Sequence, residues 1–155
     1  MGLRGKDLEK RANKANLGYR KNSEALILQI PVPMILTEKG IIVKESTVDF
    51  AGLVKGGKFI AYDAKETQSK TSFPLSNIKQ HQFLYLELVA NLGGIAFFLI
   101  HFKKLHEDEA FYVPIDFLSK YWKGKMGRKS IPYKALPKEW LVPIDDYLKP
   151  IINII

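Results

Sequence analysis

Apolar positions recur along the chain with two different periods, and the change of period marks the elements. Leu3, Leu8, Ala12 and Ala15 fall on one side of a 3.6-residue repeat, so residues 3–17 are expected to form an amphipathic helix with Gly18 as its stop. Residues 25–36, ALILQIPVPMIL, have extended character, and Pro31 and Pro33 confine them to a sheet edge or to an arm leaving the core. Glu38-Lys39-Gly40 signals a turn, after which Ile41–Val43 resumes a strand. Two strands follow, 47–51 (TVDFA) and 58–65 (KFIAYDAK), with Gly52, Gly56 and Gly57 between them as a hairpin connection. A polar loop over 66–75 ends in Phe73-Pro74-Leu75. Ser76 is the expected N-cap of a helix over residues 77–91, which Gly93-Gly94 close. Residues 94–102, GIAFFLIHF, are almost continuously apolar, the pattern of a strand buried on both faces. A strand at 111–115, a short helix at 116–122, an irregular basic stretch at 123–138 and a C-terminal helix interrupted by Pro150 complete the reading. The order predicts an α/β fold in which a mixed β-sheet is flanked by helices.

A chain of 155 residues, 46% apolar and 26% charged, suits one domain with its own core, spanning residues 1–155. No apolar run approaches the length of a membrane span. The basic N-terminus has no apolar centre and is not a secretory signal, and Lys6 breaks the myristoylation pattern. The absence of cysteine excludes disulfides and cysteine-based zinc sites and fits a cytoplasmic location. The net charge of +8 points to a polyanionic partner. Its distribution sharpens this, because residues 1–24 carry seven Lys or Arg against three acids, and residues 120–138 carry seven and no acid. Basic blocks attract phosphates, and carboxylates between them can hold a metal for phosphodiester chemistry.

Those carboxylates are Asp49 and Asp63. Strand alternation puts Asp63 and Lys65 on one face, with Tyr62, Ala64 and Glu66 on the other. A carboxylate binds a hard divalent cation, and an ammonium two residues on can steady an attacking water or the charge on phosphorus. If the two strands pair, Asp49 reaches the same metal, and the Ala64 carbonyl offers a further oxygen. Val48, Phe50, Ile60 and Tyr62 flank these charges with apolar side chains, and charges set into strands need a reason. Asp49 followed at a distance by Asp63-Ala64-Lys65 fits the PD-(D/E)xK nuclease pattern.

A longer string is more specific. Ala64-Lys65-Glu66-Thr67, then Lys70-Thr71-Ser72-Phe73-Pro74-Leu75, His81-Gln82 and Gly127-Arg128-Lys129-Ser130-Ile131, with Leu8-Glu9 and Asn13, Asn16 in the first helix, resembles the RecU-type Holliday junction resolvases from about residue 3 to about residue 135. The resemblance implies a restriction-endonuclease-like core. It implies Mg²⁺, for which Mn²⁺ substitutes, held by Asp49, Asp63, the Ala64 carbonyl and Glu9. Lys65 would be the catalytic lysine and Gln82 a contact to the scissile phosphate or the water, while His81 is balanced between a packing and a functional role and Glu66 is structural. Arg4, Lys6, Arg11, Lys14, Thr67, Lys70, Thr71, Ser72, Arg128 and Lys129 would lie along the DNA. It further implies a homodimer acting on a four-way junction, 5′-phosphate products, and room for a recombinase as a protein partner.

The chain departs from the family in three ways. Only fifteen residues separate Pro33 from Asp49, so the stalk that members insert into the junction is expected to be short here, about residues 31–45, and the long N-terminal arm of many members is not expected. The second acid is Asp63 where many members carry Glu. The picture is of a compact, phage-encoded or archaeal-like resolvase. A nuclease for duplex or flap DNA, and a non-catalytic DNA-binding modulator of recombination, are the alternatives.

Overall fold

Residues Ile95–Phe102 are apolar everywhere but His101, and the strand they form is buried along almost its whole length. In the computed structural model, which describes residues 6–32, 34–43 and 47–153, this strand lies within a six-stranded sheet. The sheet runs in the order β1 (Ala25–Gln29), β4 (Phe50–Val54), β5 (Lys58–Thr67), β7 (Ile95–Phe102), β8 (Glu109–Pro114), β10 (Leu141–Pro143). Only β5 and β7 pair in parallel, so the sheet is mixed, as its alternation of strands and helices predicted. A parallel pair needs a crossover, and α2 (Gln80–Asn91) supplies it.

The two faces of the sheet carry separate cores. On one, α2 sends Phe83, Leu86 and Val89 onto Ala61, Phe98 and Ile100. On the other, α1 (Lys6–Lys21) buries Leu8, Ala12, Ala15 and Tyr19 against Ile60, Tyr62, Phe97 and Leu99. There Phe50, Tyr62 and Phe97, neighbours across three strands, stack with centroids 4.8 and 4.6 Å apart. Two small ribbons lie outside the sheet: β2 (Met34–Thr37) with β3 (Gly40–Val43), and β6 (Ser72–Pro74) with β9 (Ser130–Pro132). The first falls in the segment expected to form the short stalk, and exposes Met34, Leu36, Ile41 and Ile42. Among the described residues no helix is long and apolar enough to cross a membrane.

Several boundaries differ from the periodicity. The first helix passes through Gly18 to Lys21, because Tyr19 one residue later is buried and bonded to Asp146 and the Leu148 amide. That burial outweighs the roughly 1 kcal/mol cost of a helical glycine. Ser23, in the left-handed region at φ 57°, ends the turn instead. Gly52 is not in the hairpin loop but inside β4. A β-carbon there would sit 1.9 Å from the Leu26 carbonyl oxygen, so the close approach of β1 requires glycine. Ser76 does not cap a helix starting at 77. Residues 75–77 form a 3-10 turn that buries Leu75, and α2 starts at Gln80. The helix expected over 116–122 is α3 (Ile115–Ser119) followed by a 3-10 turn at Trp122–Gly124. Pro150 does not interrupt a helix; it lies in the first turn of α4 (Lys149–Ile152), where its missing N–H costs nothing.

Candidate active site

The pairing of β4 with β5 stops at Phe50 and Tyr62, while β5 continues to Thr67. Beyond Tyr62 the edge of β5 on that side has no ladder partner among the described residues, and the Asp49 side chain bonds there instead. Its Oδ2 accepts the Ala64 N–H at 3.0 Å, while Asp63 Oδ1 accepts the Asp49 N–H at 2.9 Å. The two carboxylates are thus crossed, each holding the other's segment through one oxygen. Lys65 Nζ lies 2.9 Å from Oδ2 of Asp63, a residue that is only 1% exposed. Asp63 and Lys65 share one face of β5, as alternation predicts, and with Ala61 of the same parity that face is the one covered by α2.

Burial, and next the charge of Asp63, push the Asp49 carboxyl up to about 8; Glu9 adds to the rise and the Ala64 N–H opposes it. Two acids that cannot comfortably ionise together are the electrostatic complement of a cation. The Ala64 carbonyl leaves the strand on the same side as its N–H and therefore opens toward Asp49. Two carboxylates and a carbonyl fit Mg²⁺, which keeps most of its waters. Among the described residues no three acidic or imidazole groups converge as a ready cage.

Glu9 approaches from α1. Its Oε1 accepts from Gln29 Nε2 at 3.3 Å, and Gln29 Oε1 accepts from Asn13 Nδ2 at 2.8 Å. Gln29 ends β1, and the next residue, Ile30, donates its N–H to the Asp49 carbonyl at 2.7 Å. Glu9 and Asn13 of the first helix are therefore tied to the strand end beside Asp49. Gln82 is the third residue of α2, where its Oε1 accepts the Lys79 N–H at 3.2 Å and closes the helix start. Because α2 is the crossover of a parallel pair, its N-terminus lies at the carboxyl end of β5, the end that carries Lys65. His81 is half-buried in the same turn. Glu66 faces α1, accepts the Leu8 N–H at 3.3 Å and pairs with Lys103 at 3.3 Å, which is a structural role.

The residues assigned to the DNA backbone separate into groups. The β6–β9 ribbon carries Lys70, Thr71 and Ser72 at one end and Arg128 and Lys129 at the other, with Tyr133 N bonded to the Thr71 carbonyl and Leu75 N to the Lys129 carbonyl. Thr67 is buried, and its Oγ1 accepts the Ser69 N–H. Lys14 is exposed on α1. Arg11 is held by the Glu107 carbonyl at 2.8 Å and by Asp108 at 3.0 Å. Arg4 and the side chain of Lys6 lie outside the described residues. The sequence reading missed Ser69, whose Oγ accepts from both Thr71 and Ser72 N–H and shapes the loop that presents Lys70. The serine- and threonine-rich run 67–72 carried that turn signal.

Comparison with known proteins gives a consistent result. Residues 3–155 match the family model described as Recombination protein U. A Holliday junction resolvase RecU of Oenococcus oeni is 38% identical over 176 residues, covering 99% of this chain and 88% of that protein. The protein of the same name from Leuconostoc citreum is 34% identical, covering 97% of this chain and 80% of its own length. An aligned length of 176 exceeds the 155 residues here, so the Oenococcus oeni protein carries extra residues within the matched region.

Proposed function

The chain belongs to the Recombination protein U family, and on that premise we infer that it is an endonuclease that resolves four-way DNA junctions by cutting two opposed strands. The observation that carries this reading is the crossed Asp49–Asp63 pair with Lys65 against it, at the end of a sheet flanked by the basic β6–β9 ribbon. Mg²⁺, for which Mn²⁺ would substitute, when bound would lower the pKa of a water and neutralise phosphate charge. Asp49, Asp63 and the Ala64 carbonyl would hold it, with Glu9 orienting one of its waters. Lys65 would leave Asp63 for a phosphate oxygen and offset the charge that builds on phosphorus. Gln82 would hold the scissile phosphate from the start of α2. Attack in line on phosphorus breaks its bond to O3′, which leaves a 3′-hydroxyl and a 5′-phosphate. Lys70–Ser72, Arg128, Lys129 and Lys14 would bear on the backbone and supply salt-dependent affinity.

Paired cuts need two sites related by a dyad, so the acting form would be a homodimer. Leu26, Leu53 and Phe59 form one cross-strand row on the α2 side of the sheet, and all three are exposed. Leu84 and Leu88 expose a further stripe on α2 itself. An apolar surface of this kind suits a second copy. With a DNA substrate the protein's place of action would be the cytoplasm, of a bacterium or of a phage's host. The test is cleavage of mobile and fixed four-way junctions against matched linear duplex, in Mg²⁺, Mn²⁺ and chelator, read at nucleotide resolution. Paired symmetric nicks at the branch support the reading, and equal cutting of the linear duplex overturns it.

A further inference from the structure

Beside the β6–β9 ribbon is a cavity of about 390 Å³, of whose lining the reading above uses only Lys129. Its walls are apolar: Pro74, Leu75 and Trp122. Two ammonium groups, Lys123 and Lys129, stand at it, and among the described residues neither makes an ion pair. The stretch 120–138 has no acid to pair with them. Lys123 holds the left-handed conformation at φ 57°, uncommon for a residue with a β-carbon, and Gly124 follows at φ 73°. This reversal of the chain is what sets Lys123 at the cavity. The Trp122 ring is fixed by a parallel stack on Phe83, 4.3 Å away at 9°. Phe83 follows Gln82 in α2, so the cavity is joined mechanically to the helix start nearest the carboxylates.

We propose that this cavity captures a single unstacked nucleotide of the DNA substrate, its base between Pro74, Leu75 and Trp122 and its phosphates on Lys123 and Lys129. Apolar walls with two unpaired cations match a nucleobase joined to a phosphate. An acidic peptide would leave the apolar walls unfilled, and a neutral apolar side chain would leave the cations unanswered. A base inside a duplex is stacked on both faces and cannot enter. Nucleotides at a branch point have already lost part of their stacking, so extruding one costs least there. The site therefore favours branched over linear DNA through energy of extrusion, without reading sequence. This rests on the reading of the chain as a junction nuclease and names the nucleotide it holds.

The test is photo-crosslinking of the full chain, in chelator, to fixed four-way junctions carrying 5-iododeoxyuridine at successive positions around the branch, with the linked peptides identified by mass spectrometry. A second arm uses a single-stranded 12-mer with the same base. Wild type should link through Trp122 from one or two positions next to the branch, and from the single strand. Ser76→Leu, which fills the cavity from an exposed turn, should remove that link, keep linear-duplex affinity within about twofold, and slow junction cleavage about tenfold, the scale of one lost base stack. Lys123→Gly keeps the left-handed backbone and removes one ammonium; it should weaken the link in low salt and lose less in high salt. Links confined to residues outside 122–124 in both arms, or an undiminished Trp122 link in Ser76→Leu, overturn the proposal. A Trp122 link in the single-stranded arm without any junction cleavage upholds the cavity and sinks the junction reading instead.

Discussion

The two faces of β5 are built from alternate residues of one decapeptide and behave in opposite ways. Toward α1 go Tyr62, Ala64 and Glu66, and their polar groups are answered within the protein. Tyr62 donates to Tyr147 at 2.6 Å, Tyr147 donates to Asn16, and Glu66 meets Leu8 N and Lys103. Toward α2 go Asp63 and Lys65, where two carboxylates crowd together and one is forced toward its protonated form. Burial alone does not separate structure from function here, since Asp63 and Tyr62 are equally hidden. The difference lies in charge: on the α1 face the one carboxylate is matched by Lys103 and the hydroxyls end in neutral partners, whereas on the α2 face two carboxylates share the single ammonium of Lys65.

Exchanging a charge on the α2 face should produce the largest effect. Asp63→Asn is expected to lower junction cleavage about a thousandfold, the scale of losing a principal electrostatic stabiliser, with junction binding in chelator little changed. A variant that still cuts at the wild-type rate in Mg²⁺ removes Asp63 from the site.

The pH dependence of stability should separate the faces next. With Asp49 raised from 3.8 to about 8, the folded chain holds a proton that the unfolded chain has released across that window. Stability without metal is therefore greatest below pH 4 as far as this group is concerned, and falls as pH rises toward 8. Asp49→Asn should flatten that fall and stabilise the metal-free protein at pH 8. Urea titrations of both proteins at pH 5 and pH 8 measure it, and parallel curves would contradict the raised value. Added Mg²⁺ should raise the melting temperature at pH 8 in wild type and much less in Asp49→Asn.

The α1 face should answer a hydrogen-bond deletion with lost stability and unchanged chemistry. Tyr147→Phe leaves Asn16 and Tyr62 without their shared partner and should cost about 2 kcal/mol. Cleavage per folded molecule should match wild type; a large drop in rate would join this face to the site. The smallest effect is expected at Arg11→Ala, whose partner Asp108 is 76% exposed. A surface pair of this kind contributes under about 1 kcal/mol, so a tenfold loss of junction affinity there would mark Arg11 as a DNA contact after all.

Much of the site was legible because a strand's alternation is local. The period of two alone divides Asp63 and Lys65 from Tyr62, Ala64 and Glu66, and the apolar run 95–102 announces the central strand. The chain segments that resemble the RecU-type resolvases are also linear strings, and they carried Glu9 and Gln82 into the candidate set. Element ends were less legible. Whether Gly18 stops a helix depends on what Tyr19 buries, and whether Gly52 is loop or strand depends on how near Leu26 comes.

What the sequence by itself determined is therefore composition, period and face: a mixed α/β chain, basic at both flanks, with an acid-acid-lysine set on strands. Only the tertiary structure decided what meets. It crossed Asp49 with Asp63 by starting β4 only at Phe50, one residue after Asp49, and put Lys70–Ser72 and Arg128–Lys129 at the two ends of one ribbon built from distant segments. It also closed Trp122 and Lys123 over Leu75 as a cavity. The physical reason is range. Side-chain direction follows from neighbours in sequence, whereas a shifted carboxyl group or a cavity is a property of groups brought together from distant parts of the chain.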